Sequence, residues 1–185
     1  MKNIWLCILS IFAMSCSGNA QNNVDMKGKK ILVAYYSWGG NTREVANYIK
    51  ELTGADIFEI IPKQAYPTDY DEAVEYAGKE IKQNYEPELE VQINNLQDYD
   101  IIFVGSPCWW STIAPPVRTF LHQNDFSGKT IVPFMTHGTS GLTVQDMKIL
   151  CPNSTVFNGL GIFYKSMETY KSKVEKWLKE LNATH

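Results

Sequence analysis

Nearly continuous apolar runs alternate with segments of helical spacing along most of this chain. Five runs predict strands, and the fifth has an optional continuation at residues 161–164; the runs occupy residues 31–36, 56–62, 100–106, 129–136 and 154–157. The third run is the most uniformly β-branched and aromatic, which is typical of a central parallel strand covered on both faces. The second run ends at Pro62, because proline cannot donate to a strand ladder.

Helical spacing follows each of these runs. The apolar positions that define the helices are Val45, Ala46, Ile49 and Leu52; Val74, Ala77 and Ile81; Val117, Phe120 and Leu121; a segment near 144–150; and Val174, Trp177, Leu178 and Leu181 within residues 168–181. Strand and helix in alternation predict an α/β fold, a doubly wound five-stranded parallel sheet in the order 2-1-3-4-5 with helices on both faces. Ligands of such sheets bind beyond the carboxyl ends of the strands, between the first and third. The loops after strands one, three and four are therefore the candidate site.

The first of these loops consists of small or hydrogen-bonding residues. They are Ser37, Trp38, Gly39, Gly40, Asn41 and Thr42. A loop that opens a helix presents free amides and the positive end of the helix dipole, both of which attract a phosphate. No lysine follows the glycines as a P-loop requires, and the dinucleotide pattern G-x-G-x-x-G is absent. The loop therefore favours a single terminal phosphate. The alternative is an ordinary turn in which Asn41 or Thr42 caps the helix.

Aromatic residues dominate the second loop, where Pro107, Cys108, Trp109 and Trp110 follow the central strand. The apolar faces of two adjacent indoles must be shielded from water, and a flat conjugated ligand in the crevice would shield one of them. The alternative is packing of both on the neighbouring helix; we expect one indole to pack and the other to face the ligand, and the sequence leaves open which.

Polar groups without charge characterise the third loop, which contains Thr136, His137, Gly138 and Ser140. Its backbone and side chains suit the polar edge of a heterocycle. His137 fits a hydrogen-bonding role better than that of a base, and Ser140 lies one residue away from a nucleophile elbow. A thiol nucleophile formed by Cys108 and His137 is a weaker alternative.

Composition and charge narrow the classes of partner. The chain has 185 residues, 44% of them hydrophobic, and a formal net charge of -3, which fits one globular domain and argues against a nucleic-acid partner. Cys108 and Cys151 have no metal-ligand spacing, and we expect neither a disulfide between them nor a metal site.

The first residues have the pattern of an export signal. A charged start precedes an apolar segment at residues 4–14, and small polar residues follow. The residues up to Cys16 resemble a bacterial lipobox, which predicts lipidation of Cys16; a conventional cleavage near Ala20 is the alternative. We therefore assign residues 1–28 to a signal and polar tether, residues 29–185 to the domain, and the mature protein to an exported, membrane-anchored or periplasmic location.

The three loops together resemble a bacterial subfamily of the flavodoxins over residues 29–182. This resemblance implies the flavodoxin fold and non-covalent FMN, with Ser37, Gly39, Gly40, Asn41 and Thr42 around the phosphate. It also implies Pro107, Cys108, Trp109 and Trp110 along the isoalloxazine, and Thr136, His137, Gly138 and Ser140 near its remaining edge. This chain departs from the family pattern at two places. The first loop lacks T-x-T-G-x-T, and Thr139 stands where the family has a second glycine.

One-electron transfer with an unknown redox partner protein is the function that this resemblance favours. Two alternatives share the flavin: an NAD(P)H-dependent quinone or nitro reductase, and a binding module without redox turnover. No second nucleotide motif is visible, which favours the carrier over the reductase.

Overall fold

Seven strands form one twisted sheet in the computed structural model, which describes residues 23–182. The strands are β1 (Ile31–Tyr35), β2 (Asp56–Glu59), β3 (Ile101–Trp109), β4 (Thr112–Ile113), β5 (Thr130–His137), β6 (Thr155–Val156) and β7 (Leu160–Phe163). The main path runs β2-β1-β3-β5-β6, with all neighbours parallel. The predicted order 2-1-3-4-5 is thus confirmed, with β5 as the fourth strand.

Two additions raise the strand count above the predicted five. The fifth predicted strand is divided into β6 and β7, which both pair with β5. The division occurs at Gly159, where the chain passes so close to β5 that a Cβ atom would lie 2.2 Å from the carbonyl oxygen of Pro133. The other addition is β4, which folds back antiparallel on the end of β3.

Helices cover both faces of the sheet, as predicted. They are α1 (Asn41–Thr53), α2 (Tyr70–Lys82), α3 (Pro115–Gln123), α4 (Gln145–Leu150) and α5 (Tyr170–Leu181). Helices α1 and α5 pack on one face through residues such as Ile49 and Trp177, and α2, α3 and α4 pack on the other through residues such as Phe120 and Met147. Two separate apolar layers therefore hold β1, β3 and β5 rigidly between them.

The buried face of α2 differs from the predicted one. Val74, Ala77 and Ile81 were expected to face the core, but Val74 and Ile81 are half-buried, whereas Ala73 and Glu80 are buried beside Ala77. A carboxylate thus occupies a position at which the apolar pattern predicts a hydrophobic residue.

Residues before β1 also belong to the packed structure. The side chain of Val24 is buried, and its N–H donates to the carbonyl oxygen of Leu181 at the end of α5. The predicted signal segment and Cys16 lie outside the described residues. Within residues 23–182, none of the helices is long and apolar enough to cross a bilayer.

Candidate functional site

The chain turns from β1 into α1 through a glycine in a left-handed conformation. Gly40 is the N-cap of α1 with φ of 96°, a value that residues with a Cβ atom rarely adopt, and its N–H donates to Ser37 Oγ over 3.2 Å. Among residues 23–182, no side chain accepts a hydrogen bond from the first turn of α1. Asn41 and Thr42 lie inside the helix, so neither is the capping residue that the alternative reading required. The first amides of α1 remain available for an anion.

Two threonine hydroxyls meet beside these amides. Thr42 Oγ1 and Thr136 Oγ1 are 2.8 Å apart, and both residues are buried, although they belong to α1 and β5. Arg43 turns away and pairs with Glu59, which also accepts from the hydroxyl of Tyr35. Of the residues that the structure describes, those with hydroxyl groups and free amides, and none with a cationic side chain, therefore line this part of the site.

Strand β3 continues farther than its apolar run predicts. Pro107, Cys108 and Trp109 were expected in a loop, but they form the end of β3, where Trp109 pairs with Thr112 of β4. The two residues between these strands, Trp110 and Ser111, have φ of 50° and 64°. A two-residue hairpin turn with both φ positive normally contains Asn-Gly, and Trp110-Ser111 lacks this hairpin signal.

Trp109 and Trp110 face different surroundings. Trp109 packs edge-on against Tyr36 and Tyr66, with ring centroids 5.6 and 4.9 Å away. Trp110 is 59% exposed and lies on α2, where its Nε1 donates to the carbonyl oxygen of Val74 over 3.1 Å. Gly78 permits this contact, since a Cβ atom there would approach the indole to 3.1 Å. Trp109 is thus anchored by aromatic contacts, whereas Trp110 packs on α2 and leaves its other face exposed; which of the two faces a ligand stays a prediction.

The three loops enclose two adjoining cavities beyond the carboxyl ends of β1, β3 and β5. The first, the main crevice, has a volume of about 460 Å³ and is lined by Ser37, Trp38, Gly39, Asn41, Thr42, Tyr70, Pro107, Cys108, Trp109, Thr136, His137, Gly138 and Tyr164. The second, the side slot, has a volume of about 250 Å³ and is lined by Trp38, Tyr70, Ala73, Val74, Ala77, Cys108, Trp109, Trp110, Gly138, Thr139 and Ser140. Their shared walls, Trp109 among them, make them neighbouring parts of one site.

All the site residues named from the sequence line one of these cavities, except Gly40, which shapes the turn. Tyr70, Tyr164 and the α2 residues of the side slot were not predicted. Tyr70 and Tyr164 are 68% and 49% exposed, and exposed aromatic residues at a helix start or strand end have no periodic signal. The Nε1 of Trp38 donates to the carbonyl oxygen of Pro67 over 2.9 Å. This hydrogen bond connects the loop before α2 to the site.

The third loop contains neutral groups. His137 is the last residue of β5 rather than a loop residue, and burial lowers the pKa of its imidazole, which also faces the positive charge of Lys173. Its Nδ1 is buried without a hydrogen-bond partner among the described residues. Burial raises the pKa of the Cys108 thiol, against a smaller opposing effect of Ser140. A protonated thiol is a poor nucleophile, which disfavours the Cys108–His137 pair as a catalytic dyad. Within the described part of the chain, Cys108 and Cys151 are both free thiols.

Comparison with known proteins agrees with this geometry. The flavodoxin family model matches residues 30–181. The chain belongs to the flavodoxin family. A candidate flavoprotein from Bacteroides uniformis is 30% identical, with a TM-score of 0.72, and the match covers 83% of this chain and 99% of the other.

Two further structures support the same assignment. A candidate flavoprotein from Bacteroides eggerthii is 27% identical, with a TM-score of 0.72 and coverage of 84% of this chain and 99% of the other. A flavoprotein from Lactobacillus acidophilus, solved in complex with FMN, is 27% identical, with a TM-score of 0.64 and coverage of 82% and 99%.

Proposed function

We propose that this flavodoxin-family protein binds FMN in the main crevice and side slot and transfers single electrons to or from a partner protein. The observation that carries the proposal is the uncapped start of α1 beside the Thr42–Thr136 hydroxyl pair, at one end of an aromatic-lined site. Membership of the family and the FMN complex of the Lactobacillus acidophilus relative support the choice of cofactor.

The phosphate end of the site fits a dianion without a cationic side chain. Among the described residues that line the main crevice there is no lysine or arginine. Amides of the first turn of α1, with Ser37, Thr42 and Thr136, would hold the phosphate oxygens. The helix dipole supplies the compensating positive potential, which is strongest within the first turn.

The other end of the site fits a planar ring. Trp109 forms one wall, Trp110 and α2 form another, and the backbone of Gly138 with the side chain of Ser140 lies near the rim. Apolar and aromatic walls exclude water, and the few polar groups orient a heterocycle. FMN supplies the redox chemistry when it is bound, while the protein adjusts its potentials through stacking, hydrogen bonds and charge.

The absence of a second nucleotide motif supports a carrier over a reductase, and the acidic character of the chain is compatible with electron transfer to a protein partner. The net charge of -3 disfavours the accumulation of negative charge on a reduced flavin and should lower its final potential. Asp69, Asp71, Glu72 and Glu75 form an acidic group at the start of α2, beside the side slot, and would steer a basic partner.

Reductive titration of the FMN-loaded protein tests the proposal. A carrier should take up electrons in two resolved one-electron steps, and it should not oxidise NADH or NADPH steadily when a quinone is the acceptor. Steady turnover with a quinone and no added reductase would identify a reductase instead. Binding of FMN with a single unresolved two-electron step would leave a binding module as the better description.

We further propose that the mature protein is exported and attached to a membrane through lipidated Cys16, as the sequence pattern predicts. Mass spectrometry of the native protein is the test. A diacyl or triacyl mass on an N-terminal Cys16 is expected, and an unmodified Cys16 would refute the anchor.

A further inference from the structure

A buried carboxylate lies behind the aromatic wall of the site. Glu80 on α2 is 7% exposed, and the hydroxyl of Tyr66 donates a hydrogen bond to it. The ring of Tyr66 in turn contacts Trp109, with centroids 4.9 Å apart, and Trp109 lines both the main crevice and the side slot. Two side chains therefore separate the carboxylate from the proposed flavin ring.

The packing around Glu80 explains its burial but not its charge. The titratable groups that face it are Tyr36, which directly follows β1, Tyr66 from the β2–α2 connection and Tyr76 from α2 itself, and all three are neutral phenols whose own pKa values are raised by burial. Among the described residues, no lysine, arginine or histidine pairs with Glu80. The Tyr66 hydroxyl needs only an acceptor oxygen, which a glutamine would supply without the cost of burying a charge.

We propose that Glu80 is a proton acceptor coupled to reduction of the bound flavin. This inference rests on the proposed function above. When a one-electron donor adds negative charge to the flavin, the Glu80 carboxylate takes up one proton from solvent and becomes a carboxylic acid. No covalent bond to carbon changes, and the Tyr66 hydroxyl keeps its hydrogen bond to the carbonyl oxygen of the acid.

Electrostatics in the protein interior make this coupling effective. Burial already raises the pKa of Glu80, so the carboxyl group titrates closer to neutral pH than an exposed glutamate does. Charges roughly 10 Å apart in a protein interact strongly enough to shift a pKa by about one unit. Aromatic rings fill the space between Glu80 and the site, and salt screens the interaction less there than at the surface.

The first test measures the midpoint potential of the FMN-loaded protein against pH in Glu80→Gln and in the wild type. The wild type should show an added pH-dependent segment between the pKa values of Glu80 in the oxidised and reduced protein, and Glu80→Gln should lack it. Glu75→Gln is the matched control, because Glu75 is an exposed carboxylate on the same helix that pairs with Lys79. Superimposable profiles for Glu80→Gln and the wild type would overturn the coupling.

Two further readouts separate this inference from the proposed function. Reduced-minus-oxidised infrared spectra should gain a protonated carboxyl band that Glu80→Gln loses; its persistence would overturn the assignment. In the apoprotein, a raised folded-state pKa means that Glu80 supports stability below its unfolded pKa and loses this contribution as pH rises through the folded pKa. The stability advantage of Glu80→Gln should therefore grow with pH. Failure of the wild type to bind FMN would instead refute the proposed function.

Discussion

At the scale of single residues, the proposed phosphate site depends on two hydroxyl groups that come from distant parts of the chain. Thr42 and Thr136 are 94 positions apart, yet their oxygens lie 2.8 Å from each other in a buried position at the start of α1. A buried hydroxyl pair can redirect its hydrogens toward an anion without moving any heavy atom. We therefore expect this pair to donate to the phosphate of FMN.

Replacement of Thr42 by valine tests this role. The substitution keeps the shape and removes one donor to a charged phosphate, a bond that contributes about 1.5–3 kcal/mol. FMN affinity should fall by about 10- to 100-fold. Riboflavin, which lacks the phosphate, should bind the variant and the wild type almost equally, as measured by titration of the apoprotein.

Thr119→Val is the matched control, since Thr119 is also buried and its hydroxyl donates to Pro115 within α3, away from the site. It should leave FMN affinity unchanged. An equal loss of riboflavin and FMN affinity in Thr42→Val would show that Thr42 supports the fold and not the phosphate.

At the scale of elements, the β3–β4 hairpin contains a strained turn beside the candidate site. Trp110 and Ser111 both have positive φ, although neither is a residue that favours it. The strained turn holds the Trp110 indole on α2 as one wall of the side slot. Strain of this kind persists where the surrounding structure and the function require it.

Two single variants distinguish the role of the turn conformation from that of the Trp110 indole as a wall of the side slot. Ser111→Gly removes a left-handed penalty of about 1 kcal/mol and should raise the stability of the apoprotein to urea while FMN affinity stays unchanged. Trp110→Asn also suits the turn, but it removes the indole and should weaken FMN binding by about tenfold. A Trp110→Asn protein that binds FMN as tightly as the wild type would exclude Trp110 from the site.

The same hairpin shows where sequence reasoning succeeds and where it stops. The continuous apolar runs of β1, β3 and β5 mark strands buried on both faces, so the sheet and the loops beyond it follow from the pattern. The hairpin lacks the Asn-Gly pair that usually marks such a turn in a sequence. Contacts between Trp110 and α2 stabilise the turn instead, and a local sequence pattern does not reveal them. Glu80 breaks the apolar face of α2 for the same reason: the phenol of Tyr66 that partners it comes from outside the helix.

At the scale of the whole molecule, the first described residues lie at the end of the sheet opposite to the site. Val24 lies beside Asp100 and Thr130, at the amino ends of β3 and β5, whereas the main crevice lies beyond their carboxyl ends. Strand β3 spans residues Ile101–Trp109, or about 30 Å at about 3.3 Å per residue. The proposed anchor would therefore hold the site away from the bilayer.

Tether length makes this orientation testable. The segment from Cys16 to Val24 can extend about 28 Å at most, whereas a domain of this size is roughly 40 Å across. Liposome-bound lipoprotein reduced beforehand should pass electrons to a soluble acceptor but not to a quinone confined to the bilayer. A long Gly-Ser insertion after Asn22 should restore the second reaction. Equal rates with both acceptors in the unmodified protein would contradict the orientation.

A crystal structure of the protein with FMN tests the central claim most directly. The account predicts phosphate oxygens within hydrogen-bond distance of the first amides of α1 and of Thr42 Oγ1, and the flavin ring between Trp109 and Trp110. A vacant crevice at saturating FMN, or an indole of the chain itself filling the place of the ring, would contradict it.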